Sequence, residues 1–327
     1  MAGILKTVPA GAEAPAGTGR IARLAAVRLA GSLAVLWGAV TVTFLVVRAA
    51  PGGTADVLLA RSTVSPEIRA QLIAEYRLDD PLPTQYLTYL GRLARGDLGD
   101  SYALRRPVAD VIGAQLPDTL VLIAATLALT VAGAILLAVA GARRRPWMRA
   151  VFGSAESLMA ALPPFWLGLI LLSVFSFTLH WFPAIGDSSP RGLFLPALAL
   201  AAGPVAVVAQ VLREGMLRAL EEPFVLTART RGISEAAVRF RHVLRHGLTP
   251  AVPLLGWITG SLIGGAVIVE IVFSRQGVGR LVLSAVQNKD LPLVTAVVLL
   301  AAVVFVVVNI LVDVLNWLID PRTREAT

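Results

Sequence analysis

Six runs of mostly apolar residues dominate this sequence: 24–47, 119–142, 150–179, 193–212, 251–272 and 293–319. A bilayer core about 30 Å thick takes roughly 20 apolar residues as a helix, and only a helix or closed barrel satisfies its own backbone there. Charged residues make up 15% of the 327, against about 25% in a soluble domain, and they fall mainly between the runs. The fold class is therefore all-α integral membrane, with about six transmembrane helices solvated by lipid. Pro163-Pro164 sits inside the third run, so a kink or break is expected there.

The net charge of +8 comes almost wholly from arginine; Lys6 and Lys289 are the only lysines. Beside apolar spans such charge reads as topology rather than as nucleic-acid binding. The loop after the second run carries Arg143, Arg144, Arg145 and Arg149. The segment after the fourth carries Arg213, Arg218, Arg229, Arg231, Arg239, Arg241 and Arg245. Both loops belong in the cytoplasm with the amino terminus, and an even number of spans returns the carboxyl terminus there too. The first run is longer than the roughly 7–15 residues of a signal-peptide core, so it reads as a retained helix. No cysteine occurs, which excludes disulfides and thiolate chemistry.

Residues 1–19 read as a disordered cytoplasmic tail, 20–322 as one transmembrane domain and 323–327 as a second tail. Residues 48–115 are too long for a mere connector. Ser65-Pro66-Glu67 looks like a helix start, followed by Ile68, Leu72 and Ile73 at helical spacing. Tyr86, Leu87, Leu90 and Leu93 mark a second helix. The expectation is a helical layer over the outer mouth. The second span is expected to start at Pro117-Asp118.

The most informative stretch is 216–250. Glu221-Glu222-Pro223 opens a helix, Gly232 stops it, and Ser234 caps a second short helix running towards His246. Ala237, Phe240, Val243 and Leu244 lie on its apolar side. A polar helix–glycine–helix between two spans needs a partner for its apolar residues.

Ala228-Arg-Thr-Arg-Gly232-Ile-Ser-Glu resembles the Ala-x-x-x-Gly loop of binding-protein-dependent ABC importer permeases. His242-Val-Leu-Arg-His-Gly-Leu-Thr-Pro250 is similar to the arm of the dipeptide/oligopeptide/nickel permeases within that family. Leu78-Asp-Asp-Pro-Leu-Pro-Thr-Gln-Tyr86, Arg95-Gly-Asp-Leu-Gly99, Phe165-Trp-Leu-Gly168, Leu195-Pro-Ala197, Gly264-Gly-Ala-Val-Ile-Val-Glu270, Gly277-Val-Gly-Arg280 and Asp320-Pro-Arg322 extend the likeness over residues 20–322. The chain departs from it at Pro51-Gly52-Gly53 and at Arg275-Gln276, both on the outer side.

The resemblance implies a type I ABC importer permease in a bacterial inner membrane. Its partners would be a second homologous permease, two ATPase subunits or domains, and an external solute-binding protein. Thr227, Ala228, Arg229, Arg231, Gly232, Ile233, Ser234 and Glu235 would dock in the ATPase. Ala228 and Gly232 would allow close approach, and Arg229, Arg231 and Glu235 would supply rim charges. Short peptides are the implied cargo, with nickel or a metal chelate as the alternative. No Gly-x-x-x-x-Gly-Lys-Ser/Thr occurs, so ATP and magnesium would sit on the partner, with no cofactor on this chain.

Other residues carry weaker readings. His242 and His246 share a helix face but lack a third metal ligand. His180, beside Trp181, suits an interfacial anchor. Glu270 is an acid near the outer end of the fifth span, either a gate or pathway group, together with Pro163 and Pro164 of the broken third span, or a partner of Arg280 or of a backbone cap. Asn309, Asp313, Asn316 and Asp320 form one polar stripe suited to packing and capping. Gly256, Gly260 and Gly264 recur every four residues, as close helix packing requires, within the chain or against a second permease. No nucleophile–base pair or paired span-centred aspartates occur, which argues against an intramembrane enzyme. A non-transporting sensor or structural protein is the competing class.

Overall fold

The computed structural model describes residues 17–49, 79–142, 146–184 and 189–319. Among them the chain forms ten helices. They are α1 (Gly17–Ala49), α2 (Leu82–Leu93), α3 (Val108–Gly141), α4 (Pro146–Ala161), α5 (Pro164–Thr178), α6 (Pro190–Ala219), α7 (Pro223–Thr230), α8 (Glu235–Val272), α9 (Val278–Gln287) and α10 (Leu291–Ile319). Five are long and apolar enough to cross a membrane: α1, α3, α6, α8 and α10. Helices α4 and α5 make a sixth apolar element, bent by 98°. The expectations for residues 1–16, 65–73, 143–145 and 320–327 lie outside the described residues.

Helix α6 is the hub, packed against α3, α4, α5 and α8. It is rich in alanine, and Ala197, Ala199, Ala201, Ala206 and Ala209 are buried along it. Without a hydrophobic force between helices in lipid, such small residues let neighbours approach closely enough for dispersion to hold them. The buried hydroxyls of Thr126 and Thr130 in α3 donate to the carbonyls of Leu122 and Thr126, both at 2.8 Å, so neither hydroxyl is stranded.

Helix α3 begins at Val108 rather than at Thr119, and Pro117 lies inside it. The extra turns carry Val108, Val111 and Ile112, buried in a cluster with Val278, Ala285 and Leu293. That packing outweighs the local preference of the proline, which membrane helices tolerate. The connection between the first two spans is shortened accordingly. The break at Pro163-Pro164 is present: Pro163 is extended (φ −63°, ψ 135°) and Pro164 opens α5. Helix α5 ends in a π segment, Leu172–Thr178.

Arg213, which sequence alone marks only as a topological charge, pairs with Glu156. Arg213 is 8% exposed and Glu156 2%, and they meet at 2.6 Å with further bonds from the guanidinium Nε to both carboxylate oxygens. The pair clamps α4 to α6. The aliphatic stem of Arg213 lies against Gly141, where a Cβ would sit 2.8 Å from Arg213 Cδ.

At the opposite end, α2 lies beside the ends of α1 and α10. Tyr86 shares a 2.6 Å hydrogen bond with Thr41 and tilts against Phe44. Asp290, fully buried, accepts from Ser101 Oγ, from the Ala103 amide at 3.1 Å and from the Leu293 amide at 3.3 Å. One carboxylate thus starts α10 and fastens the loop before α3. The Tyr89 hydroxyl is buried near Thr295 of α10, and that burial pushes the phenol up to about 12.

Candidate functional site

Helix α7 ends in a Schellman turn. Gly232 adopts φ +77°, its amide donates to Arg229 O at 2.9 Å, and the Ile233 amide donates to Ala228 O at 3.2 Å. Glycine suits this place because left-handed backbone strains any residue bearing a Cβ. Ile233 tucks against the main core, as such turns require of the residue after the glycine. Ser234 then caps the next helix, its hydroxyl accepting from the Ala237 amide at 3.3 Å.

The second helix does not stop near His246. It runs on as α8 from Glu235 to Val272, 38 residues. A π segment at Val238–Val243 and prolines at 250 and 253 leave it unbroken. At about 1.5 Å per residue it extends for roughly 57 Å. The fifth span and the second arm of the loop are therefore one element.

The loop's side chains divide differently from the sequence-based expectation. Ala228, with Val225, is buried within this chain, and Phe224 stacks on His246 with ring centres 5.1 Å apart. Ala228 thus packs within this chain. Arg229 and Glu235 pair with each other across the turn, Nε to Oε1 at 2.7 Å, rather than standing as separate rim charges. Thr227 and Arg231 are exposed. The exposed apolar groups are Leu226 (64%) and Phe240 (54%). Phe240, expected on an apolar side in need of a partner, is uncovered within this chain, and Leu226 carries no signal in the sequence. No periodicity distinguishes these two from the buried Val225 and Val243.

Close helix approach occurs at an unexpected pair of glycines. A Cβ on Gly215 of α6 would lie 2.8 Å from Gly247 Cα, and one on Gly247 would lie 2.7 Å from Leu212 O. The three glycines at four-residue spacing do not form one contact. Gly256 is buried, Gly260 abuts Phe305 of α10 (2.7 Å to a Cβ), and Gly264 has nothing within 4 Å.

Glu270 is fully buried at the far end of α8. Its carboxylate accepts from Thr119 Oγ1 at 2.6 Å, from the Gly279 amide at 2.8 Å and from the Arg280 amide at 3.3 Å. The Val278 amide donates to Thr119 Oγ1 at 2.9 Å. Three successive amides that open α9 are thereby satisfied, and a Cβ at Gly277 would collide with the carboxylate. The Arg280 guanidinium points instead to Ser274 O at 3.4 Å. Pro163 and Pro164 lie at the bend between α4 and α5. Among the described residues no three histidine, aspartate or glutamate side chains cluster as a metal site would need.

The chain belongs to the family of binding-protein-dependent transport system inner membrane components, whose model matches residues 130–325. It is 35% identical over 306 residues to a putative peptide transport system permease protein of Brucella abortus (strain 2308), covering 91% of this chain and 97% of that one. The oligopeptide transport system permease protein AppB of Bacillus subtilis (strain 168) is 34% identical over 304 residues, covering 89% and 96%. The glutathione transport system permease protein GsiC of Salmonella choleraesuis (strain SC-B67) is 35% identical over 302 residues, covering 91% and 97%. An amino acid ABC transporter crystallised with histidines overlays 64% of this chain and 94% of its own at 16% identity and a TM-score of 0.49. This chain is a multi-pass permease subunit of an ABC importer, and ATP hydrolysis belongs to separate subunits.

Proposed function

We propose that this permease passes short peptides inward, and that residues 227–235 receive the movement of an ATPase. Relatives named for oligopeptides, for di- and tripeptides and for glutathione support peptide cargo. The importer would comprise this chain, a second homologous permease, two ATPase subunits or domains and an external binding protein. Both termini and the turn at Gly232 would face the cytoplasm, as the arginines around the turn favour.

The observation that carries this reading is the continuity of α8. Its first turn, Glu235–Ala237, follows Gly232, and its last residues include Glu270, which caps α9. Displacement of the Gly232 turn would therefore shift the opposite end of the fifth span without an intervening joint. Leu226 and Phe240 give the ATPase two apolar anchors, with Thr227 and Arg231 beside them. Glu270 would act by tying α9 to the moving span. Pro163 and Pro164 would allow the halves of the third span to rearrange around the path.

Because the sequence has no cysteine, a single introduced thiol gives a direct test. A Leu226→Cys variant should react with a membrane-impermeant maleimide only from the cytoplasmic side, and bound ATPase should protect it. Gly232→Arg should release the ATPase or uncouple hydrolysis from labelled dipeptide uptake. Labelling of the Leu226→Cys variant from outside, or full uptake by the Gly232→Arg variant, would refute the role assigned to the turn.

A further inference from the structure

Two stretches singled out in the sequence, Asp79-Asp-Pro-Leu-Pro-Thr-Gln-Tyr86 and Arg95-Gly-Asp-Leu-Gly99, play no part in coupling to the ATPase. In the structure they converge on one cavity of about 380 Å³, closed by the end of α1 and the start of α10. That volume is in the range of about 300–1,000 Å³ usual for small-ligand sites. The cavity has an apolar floor, in which Phe44, Leu98 and Leu291 take part, and a charged wall.

The charges of that wall are sorted. Arg92 is occupied: its Nε donates to Asp97 at 2.8 Å, and Asp97 also accepts from the Gly99 amide at 2.8 Å. Arg48 is only partly occupied. One terminal nitrogen donates to Gln85 Oε1, and Gln85 is itself braced on Asp80 O at 2.7 Å. The guanidinium lies over the Phe44 ring at 5.7 Å, and its Nε is buried without a hydrogen-bond partner. Asp80 and Asp100 complete the lining. With the Arg92–Asp97 pair set aside, one cation and two carboxylates remain among the described residues to meet a guest. A wholly anionic ligand would meet the two aspartates, and a wholly cationic one would meet Arg48.

We propose that this cavity binds a small zwitterion, its anionic oxygens on Arg48 and its ammonium on Asp80 and Asp100. Phosphoethanolamine headgroups and the termini of a short peptide share that chemistry. The surroundings favour the lipid: Leu82 and Leu87 of α2 are 56% and 66% exposed, and Leu45 of α1, next to Phe44 of the lining, is 58% exposed. Acyl chains have apolar surface to lie on beside the charged wall. A primary ammonium also donates hydrogen bonds to carboxylates, which a trimethylated one cannot.

The test uses the purified full-length chain in detergent, with phosphatidylethanolamine, phosphatidylcholine, phosphatidylglycerol or dialanine added, and reads bound ligand by native mass spectrometry. Phosphatidylethanolamine should bind most tightly, and Arg48→Gln should weaken it about tenfold, the loss of one charge-assisted bond. Asp100 is exposed, and Asp100→Asn should leave the melting temperature unchanged while erasing the preference over phosphatidylglycerol. Dialanine binding that displaces the lipid, and that is lost in the same two variants, would assign the zwitterion to peptide termini. Equal binding of phosphatidylglycerol by the wild type, or unchanged binding in folded Arg48→Gln and Asp100→Asn, would overturn the proposal.

Discussion

Arg213 and Glu156 meet in a buried two-pronged ion pair that holds the near half of the broken third span against α6. The guanidinium offers a planar fork and the carboxylate matches it, so neither charge is left facing apolar side chains. The pair sits on the far side of the 98° bend from α5. A rearrangement at Pro163-Pro164 that kept this pair would leave α4 fixed to its neighbour.

Removing one member strands the other. Glu156→Gln is expected to destabilise the chain by about 3–5 kcal/mol, the cost of an unpaired buried charge. The double variant Glu156→Leu/Arg213→Met should recover most of that loss. Thermal unfolding in detergent measures both, and additive losses in the double variant would contradict a direct pair.

At Gly232 the limit is backbone conformation, since a Cβ there meets nothing within 4 Å. Gly232→Asn should be mild, because asparagine tolerates left-handed backbone. Gly232→Val should cost about 1–2 kcal/mol of local stability. Hydrogen exchange at the Ile233 amide, which donates to Ala228 O, should accelerate in the valine variant and change little with asparagine.

Gly247 and Gly264 are expected to behave oppositely. Gly247→Ala drives a Cβ to within 2.7 Å of the Leu212 carbonyl, so α6 and α8 must separate, at about 1–3 kcal/mol. Gly264→Ala has open space and should leave the isolated chain unchanged. A lowered melting temperature for the first and an unaltered one for the second would check both. A loss at Gly264 only in the assembled importer would place that residue against a partner.

Asp97 is held below its ordinary value of 3.8, chiefly by its bond to Arg92 and then by the Gly99 amide. A depressed carboxylate contributes fully above the ordinary value and loses that contribution as pH falls through its own lower one. Fastening of the 97–100 turn should therefore be constant from neutral pH down to about 4 and weaken below it. Asp97→Asn should show weak protection of the Gly99 amide at every pH, read by exchange corrected for intrinsic rates.

The spans are legible in the sequence because the bilayer imposes length and hydropathy on contiguous residues, and the Gly232 turn because its signals are local. Ser234 and the Pro163-Pro164 break are legible for the same reason. What the sequence leaves open is decided by packing between distant segments. Helix α3 starts at Val108 because that face is buried against α9 and α10. Whether Leu226 or Val225 faces inward depends on where α7 settles, and nothing within eight residues encodes that. The Gly215–Gly247 contact and the Arg213–Glu156 pair join residues 32 and 57 positions apart, beyond the reach of periodicity. Glu270 stands out as a costly intramembrane acid, but its bonds to Thr119 and to the start of α9 need the folded chain.

A continuous helix leaves little backlash. Because Glu235 and Glu270 belong to the same helix, the coupling proposed for the Gly232 turn would keep a partner's nucleotide cycle and the α9 cap on the same beat. Compliance would then reside elsewhere, at the 98° bend of the double proline in the third span. On that reading a helix-forming pair in place of Pro163-Pro164 would straighten the bend and jam the stroke, whereas a break within α8 would let fuel burn idle.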